Sequence, residues 1–237
     1  MKLLISVVDA QEAKEAFLGG ADIVDVKRPS EGSLGACPPN IIRSVREALP
    51  QKVEVSAAVG DVPDLPGTVS LAALGAAVSG VDYVKVGVYG PKSLERAVVL
   101  LKEVKEAVKS YDSSIKVVAA SYADYGRAGC LEPNMVLEAA RKAEVDVWMI
   151  DTKVKDGSPL LSFLSPSSLI SLIERAHGYG MIAAVAGSLK LDDLEAIGSL
   201  GADVVGFRGA ACGGDRVKGR VRREFVEELK RRLSLVR

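Results

Sequence analysis

The chain has 237 residues, of which 48% are hydrophobic, and its 31 basic residues balance its 31 acidic residues. This balance excludes the net basic charge of a typical nucleic-acid-binding protein, and no apolar run is long enough to span a membrane. The three cysteines form no CxxC pair and have no histidine nearby, so we expect neither a disulfide nor a metal site. Free thiols favour a cytoplasmic protein.

Short apolar strands and amphipathic helices alternate along the whole sequence. We predict eight strands, at residues 3–8, 23–27, 53–59, 83–88, 116–121, 147–151, 182–186 and 204–208. We predict a helix after each strand, at residues 10–18, 39–48, 69–78, 93–109, 132–143, 166–177, 191–200 and 222–235. Strict alternation at roughly 30 residues per unit is typical of an α/β protein with a single (β/α)8 TIM barrel.

No linker rich in proline or serine interrupts this series, so we expect residues 1–237 to form one barrel domain. The tripeptide Gly-Ala-Asp precedes two predicted strands, at residues 20–22 and 201–203, and is interpreted as a helix stop. The main alternative is an open doubly wound sheet. Its glycine-rich turn should follow the first strand, but Val8-Asp-Ala-Gln-Glu12 contains no glycine.

The second and fourth predicted strands each carry a lysine opposite a row of valines. Side chains alternate along a strand, so Asp25 and Lys27 share one face while valines occupy the other. Lys85 lies opposite valines in the same way. Valine faces suit packing against helices, which directs both lysines into the barrel. Because burying a lysine is costly unless it is paired or neutral, this pattern indicates amine chemistry.

Active-site residues of a barrel come from the carboxyl ends of its strands. The predicted ends supply Asp25, Lys27, Lys85, Asp151 and, in the following loop, Lys155. A lysine can form a Schiff base with a carbonyl compound, or can transfer protons once its pKa is lowered, and carboxylates can then shuttle protons. The alternative is an internal salt-bridge network with a purely structural role.

Three other charged features are interpreted as structural. His177, the only histidine, lies near the end of a predicted helix, where we expect it to interact with the terminal carbonyl groups. This placement excludes a Ser-His-Asp triad and a histidine-based metal site. The basic stretch at residues 216–223 is interpreted as the solvated lead-in to the last helix, and Lys153 as a loop charge.

Small residues follow the seventh and eighth predicted strands, where many barrels bind phosphate through backbone N–H groups. Gly187 and Ser188 follow strand seven, and Gly209 and Ala210 follow strand eight, with Arg208 as a nearby cation. The loop Glu31-Gly-Ser-Leu-Gly35 could contact a second phosphate through Ser33. The sequence lacks nicotinamide-binding and P-loop patterns. We therefore expect an enzyme without metal or cofactor that acts on a small phosphorylated carbonyl compound.

Several segments resemble the (5-formylfuran-3-yl)methyl phosphate synthase family of methanofuran biosynthesis. The resemblance covers essentially the whole chain in order, and its motifs are Asp22-Ile-Val-Asp-Val-Lys27, Glu31-Gly-Ser-Leu-Gly-Ala36, Gly60-Asp-Val-Pro63, Pro66-Gly-Thr68, Tyr83-Val-Lys-Val-Gly87, Asp151-Thr152, Lys155-Asp-Gly157, Ala186-Gly-Ser-Leu189 and Arg208-Gly-Ala-Ala-Cys212.

This resemblance implies a carbon–oxygen lyase that joins two glyceraldehyde 3-phosphate molecules into a furan aldehyde with one phosphate. It implies that Lys27 is the Schiff-base lysine and Lys85 a proton acceptor. Asp25, Asp151 and Lys155 match further site positions of the family, whereas Lys153 matches no family lysine. We also expect a homo-oligomer, whose size the sequence does not give.

Three rival functions stay open at this point. Asp25-Val-Lys27 also resembles the Asp-x-Lys-x-x-Asp signature of phosphate-binding barrel decarboxylases, although Ser30 stands where the second aspartate belongs. An aldolase acting on another small sugar phosphate is a second candidate. A sugar-phosphate-binding regulator without turnover is a third, and the intact lysines argue against it.

Overall fold

The computed structural model describes residues 1–236 and shows eight parallel strands that close into a barrel in sequence order, with the last strand paired to the first. This confirms the predicted fold class. Seven strands lie within one residue of the predicted bounds, and β3 extends three residues further. The strands are β1 (Lys2–Val7), β2 (Ile23–Val26), β3 (Glu54–Val62), β4 (Tyr83–Val88), β5 (Lys116–Tyr122), β6 (Val147–Asp151), β7 (Ile182–Val185) and β8 (Val204–Phe207).

Helices cover the outside of the barrel. Within residues 1–236 they are α1 (Ala10–Leu18), α2 (Pro39–Glu47), α3 (Pro66–Ala77), α4 (Leu94–Tyr111), α5 (Tyr125–Ala128), α6 (Pro133–Lys142), α7 (Pro166–Gly178), α8 (Leu194–Gly198) and α9 (Arg223–Leu235). The short α5 was not predicted. The seventh predicted helix, at residues 191–200, is split, because Leu191–Asp193 forms a 3-10 turn before α8. No helix in this part of the chain is both long and apolar enough to cross a membrane.

Alternation along the strands creates two separate apolar cores. Val24 and Val84 belong to the outer core, between the sheet and the helices. Leu4, Ile23 and Met149 belong to the inner core, which fills the barrel itself. The face predicted for Lys27 and Lys85 is therefore the inner face, and both lysines lie toward the carboxyl end of the barrel.

Four aspartates fix the strand register at the amino end of the barrel. Each precedes an even-numbered strand and accepts a hydrogen bond from the strand before it. The N–H groups of Leu3, Val55, Val117 and Ala183 donate to the carboxylates of Asp22, Asp82, Asp146 and Asp203, respectively, at 2.7–2.8 Å. The Gly-Ala-Asp repeats of the sequence supply two of these aspartates. The structural polar groups thus gather at the end opposite the candidate site.

His177 lies at this amino end, near the end of α7. Its Nε2 is 2.8 Å from Asp203 Oδ2, so the expected contact with terminal carbonyl groups is replaced by a contact with a side-chain carboxylate. A carboxylate is the stronger acceptor, which explains the difference.

Candidate active site

The carboxyl end of the barrel holds a cavity of about 690 Å³. Lys27, Lys85, Asp151 and Lys155 line it, and Asp25 is fully buried next to Lys85. The structure therefore gathers all five side chains that the sequence suggested for catalysis, from β2, β4, β6 and the loop after β6. Their chemical roles depend on how each one is paired.

Lys85 forms a buried ion pair with Asp25. Its Nζ donates to Asp25 Oδ2 at 2.8 Å, and Ser6 Oγ on β1 donates to the same oxygen at 2.9 Å. Burial acts to raise the pKa of Asp25, but the positive charges of Lys85 and Lys27 outweigh it and hold this pKa below its usual value. Asp25 is therefore a carboxylate that fixes Lys85 beside the cavity.

Lys155 and Asp151 form a second ion pair across the cavity wall. Lys155 Nζ donates to Asp151 Oδ1 at 2.6 Å and to Thr152 Oγ1 at 3.1 Å, while the N–H of Thr152 donates to Asp151 Oδ1 at 2.7 Å. Burial again acts to raise the pKa of Asp151, and the charges of Lys155 and Lys27 lower it below the usual value. The second pair thus repeats the arrangement of the first.

Lys27 differs from these lysines because it forms no ion pair within residues 1–236, although only 6% of its surface is exposed. Burial is the main reason that its pKa falls from 10.5 to about 7. Lys85 and Lys155 act in the same direction, whereas Asp151 and Asp25 oppose them. Lys27 is therefore the amine that carries a free lone pair near neutral pH.

Each carboxylate keeps one oxygen unused. Among the described residues, Asp25 Oδ1 and Asp151 Oδ2 are buried and have no hydrogen-bond partner. Buried polar atoms are normally paired, and unpaired ones mark places where a substrate, water or proton can bind. The two oxygens lie on carboxylates whose charges act on Lys27, so the site combines one reactive amine with two buried carboxylates.

The loops after β7 and β8 bring four small residues to the cavity, and phosphate binding by their backbone N–H groups stays a prediction. Gly187, Ser188, Gly209 and Ala210 all line the cavity. Their N–H groups donate to no other group within residues 1–236. Gly187 has a φ of +122°, and a Cβ there would come within 3.1 Å of Thr152 Cγ2. Glycine therefore lets this loop pass close to the loop after β6.

Arg208 does not offer the free cation that the sequence suggested. Its Nη1 and Nη2 bind the buried carboxylate of Glu12, and the remaining N–H groups donate to the carbonyls of Ser6, Arg216 and Gly219 at 3.0–3.2 Å. An arginine has five N–H donors, and all five are used. The predicted phosphate contact of the Arg208 side chain is therefore corrected, because this side chain fixes the loop instead.

Ser33 is also used differently. It is fully buried, and its hydroxyl donates to Thr152 O at 2.8 Å. Its N–H donates to Asp61 Oδ2 at 3.0 Å, and Asp61 also binds the hydroxyl of Tyr122. The neighbouring Leu34 enters the inner core of the barrel. The expected contact of Ser33 with a second phosphate is therefore corrected: this loop closes part of the barrel mouth.

Arg216 is the residue that the sequence interpretation missed. It was assigned to a solvated basic stretch, but it lines the cavity and is partly buried. Its Nη1 donates to Pro29 O at 3.0 Å and its Nη2 to Gly32 O at 2.9 Å. The glycine pair Gly213-Gly214 just before it was the only local sign that this segment turns back over the barrel. Lys153, by contrast, lies outside the cavity lining, 3.4 Å from Asp61.

Comparison with known sequences decides the family. A profile of the 4-HFC-P synthase family matches residues 3–230. The chain belongs to this family. The resemblance predicted from the motifs is thus confirmed, and the residues described above form the candidate active site of an enzyme of the 4-HFC-P synthase family.

Relatives within the 4-HFC-P synthase family are similar over almost their full length. The (5-formylfuran-3-yl)methyl phosphate synthase of Methanocaldococcus jannaschii is 54% identical over 231 residues, which cover 97% of this chain and 98% of that protein. The enzyme of the same name from Methanothermobacter thermautotrophicus is 51% identical over 235 residues, which cover 99% of each chain.

Solved structures with this fold have low sequence identity. The 3-hexulose-6-phosphate synthase of Salmonella typhimurium superposes with a TM-score of 0.72 at 17% identity, and the match covers 100% of both chains. The phosphoribosyl anthranilate isomerase of Thermus thermophilus gives a TM-score of 0.64 at 18% identity, and the match again covers 100% of both chains. At such identities the similarity concerns the barrel fold alone.

Proposed function

We propose that this enzyme condenses two molecules of glyceraldehyde 3-phosphate into (5-formylfuran-3-yl)methyl phosphate, with loss of one phosphate and of water, as a step of methanofuran biosynthesis. The reaction runs through a Schiff base on Lys27. The family supports the product, and one observation carries the mechanism: a buried lysine without an ion pair whose pKa falls to about 7. Such an amine is a nucleophile at neutral pH.

The first step joins Lys27 Nζ to the aldehyde carbon of one triose phosphate, with release of water. The resulting iminium draws electrons from the neighbouring carbon, whose proton is then removed to give an enamine. Loss of the phosphate on the next carbon follows by elimination. A new carbon–carbon bond to the second triose, ring closure and dehydration complete an aromatic ring, whose stability favours the product. Water then hydrolyses the iminium, which breaks the bond to Lys27 Nζ, releases the furan aldehyde and restores the free amine.

Proton transfers in this scheme fall to the two ion pairs. Lys85, held by Asp25, is assigned as the proton acceptor. The Asp151–Lys155 pair is assigned to the proton transfers on the opposite side of the cavity. The position of Lys85 and of the Asp151–Lys155 pair in the cavity lining supports these roles, because all three side chains lie where a substrate binds.

Phosphate binding is assigned to the loops after β7 and β8. The N–H groups of Gly187, Ser188, Gly209 and Ala210 line the cavity without partners within residues 1–236. Groups of backbone N–H donors of this kind bind phosphate well. No metal or cofactor is required for any step of this scheme.

Trapping of the covalent intermediate tests the proposal. Incubation with glyceraldehyde 3-phosphate followed by borohydride reduction should label the peptide that contains Lys27, and mass spectrometry of the unreduced mixture should show the furan phosphate. Lys27→Met should lose both signals. Lys153→Met is the matched control, because Lys153 lies at the same barrel end but outside the cavity lining, and it should keep both signals.

Two results would contradict this scheme. A label found only on Lys85 or Lys155 would assign the nucleophile to another lysine. Turnover of the triose without a labelled peptide would remove the Schiff base and would favour a decarboxylase-like or enolate mechanism.

A further inference from the structure

The charges that line the cavity are not balanced by protein groups. Three of the cations have carboxylate partners, namely Lys85 with Asp25, Lys155 with Asp151 and Arg208 with Glu12. Lys27, Lys190 and Arg216 line the cavity without an ion pair within residues 1–236. Lys27 is the proposed nucleophile and Lys190 is exposed, whereas Arg216 is partly buried, and burial lowers its pKa. Its neighbour Asp215 does not compensate it, because Asp215 Oδ1 instead accepts the N–H groups of Val217 and Lys218 at 2.9 Å each.

The guanidinium of Arg216 is fixed in place before any ligand binds. Two of its N–H groups donate to the carbonyls of Pro29 and Gly32, in the loop that follows Lys27. Its own carbonyl accepts from Arg208 Nε at 3.0 Å, which ties its backbone to the fully bonded Arg208. Because an arginine has five N–H donors, three remain for a ligand. A partly buried cation held this way favours an anion with several acceptor oxygens.

We propose that Arg216 binds the phosphate group of the second triose phosphate. The inference rests on the proposed function, which requires two phosphate-bearing substrates in one cavity. The backbone N–H groups of Gly187, Ser188, Gly209 and Ala210 form one anion site, between the loops after β7 and β8. Arg216 forms the other, where the loop after β8 meets the loop after β2. Arg216 is thus a binding residue that selects a phosphorylated second substrate, and it takes no part in imine formation.

Inorganic phosphate is the probe for this second site. Calorimetric titration of the wild-type protein should show two phosphate ions per chain. In Arg216→Gln, one of the two should bind at least about 10-fold more weakly, because charge-assisted hydrogen bonds are lost. Lys218→Gln is the matched control. It removes the same charge from the same loop, but Lys218 does not line the cavity, so both sites should be unchanged.

Kinetics separate this inference from the proposed function. Arg216→Gln should raise the KM for glyceraldehyde 3-phosphate by about 10- to 100-fold. Borohydride should still label Lys27 in this variant, because imine formation needs only the first triose phosphate. If the wild type makes no furan phosphate, and Arg216→Gln binds one phosphate ion fewer than the wild type, the proposed function fails but the assignment of Arg216 as an anion ligand stands. If the furan phosphate forms and Arg216→Gln keeps both phosphate sites and its KM, Arg216 is not a substrate ligand.

A third variant decides the matter if Arg216→Gln does not fold. Arg216→Lys keeps the positive charge but loses the planar fork that reaches both loop carbonyls and an anion together. Its second phosphate site should be weakened relative to wild type at an unchanged melting temperature. Unchanged phosphate affinity at both sites in this variant would overturn the assignment, because a single flexible ammonium cannot replace the fork.

Discussion

Replacement of Asp151 by asparagine should lower the pKa of Lys27, whereas replacement of Lys85 by glutamine should raise it. The charges around Lys27 determine the direction of both pKa shifts. The negative charge of Asp151 favours the protonated form of Lys27, and the positive charge of Lys85 disfavours it. The charge of the partner stays in place: Lys155 still lowers the pKa of Lys27 in Asp151→Asn, and Asp25 still raises it in Lys85→Gln.

The expected size of these effects follows from the pKa of Lys27 in the wild type. With a pKa of about 7, about half of the Lys27 amine is free at pH 7, whereas an ordinary lysine with a pKa of 10.5 has only about one free amine in 3000. A neighbouring charge commonly moves a pKa by about 1 to 3. The two variants should therefore differ from each other by about 2 or more in the pKa of Lys27.

Competitive acetylation with quantification by mass spectrometry measures this pKa without any substrate. The rate at which the Lys27 peptide is acetylated is followed from pH 5 to pH 11, relative to an exposed lysine in the same sample. Lys14→Gln serves as the control, because Lys14 is exposed on α1 and its loss should leave the pKa of Lys27 unchanged. A wild-type value near 10, or shifts of the same sign in the two site variants, would refute the reasoning.

Three further predictions follow from the same site. Lys27→Met should stabilise the fold at pH 7. The folded pKa of about 7 lies below the unfolded value of 10.5, so the buried cation costs up to about 5 kcal/mol below pH 7, and this cost disappears as the pH rises from 7 to 10.5. Unfolding by urea should show a gain of only about 1–3 kcal/mol, because the buried carboxylates lose a nearby cation and this loss offsets part of the gain. A net loss of stability would contradict the argument. Lys85→Arg should lower kcat by about 100-fold or more, because a guanidinium does not deprotonate, and near-wild-type turnover of the folded variant would exclude Lys85 as the base. Gly209→Val should raise KM for the triose phosphate while the fold stays intact, since a Cβ at Gly209 meets only Gly214 O at 3.4 Å. The exposed Gly67→Val should leave KM unchanged, and equal KM values for both variants would remove the loop from phosphate binding.

The sequence was sufficient for those parts of the site that depend on local geometry. The period of two along a strand places Lys27 and Lys85 inside the barrel, and the end of each strand follows from the change to polar and small residues. Gly187 and Gly209 were found for the same reason, because a fixed position after a strand determines where they lie. Oligomeric state, domain number and cellular location stay predictions.

Long-range pairing could not be deduced from the sequence, and it decides which of the two cavity-lining arginines keeps N–H donors for a ligand. Arg208 and Arg216 lie in one loop, and the sequence around them does not show which of the two side chains is bound by other protein groups. Arg208 forms an ion pair with Glu12, which lies 196 residues away in the chain, whereas Arg216 forms no ion pair within residues 1–236. Ser33 shows the same limit, since its hydroxyl bonds to Thr152 O, 119 residues away. No local pattern encodes such partners.

The two buried ion pairs beside Lys27 call for an explanation other than stability. Buried pairs contribute little net free energy of folding. An apolar surrounding would lower the pKa of Lys27 equally well, but it would supply no group that accepts a proton. A carboxylate without its lysine would supply the acceptor and would also raise the pKa of Lys27, which removes the nucleophile. Pairing each carboxylate with a lysine resolves this conflict, because the charges of the pair oppose each other at Lys27 while one oxygen of the carboxylate stays available. The Asp25–Lys85 and Asp151–Lys155 pairs thus let a free amine and its proton acceptors share one cavity.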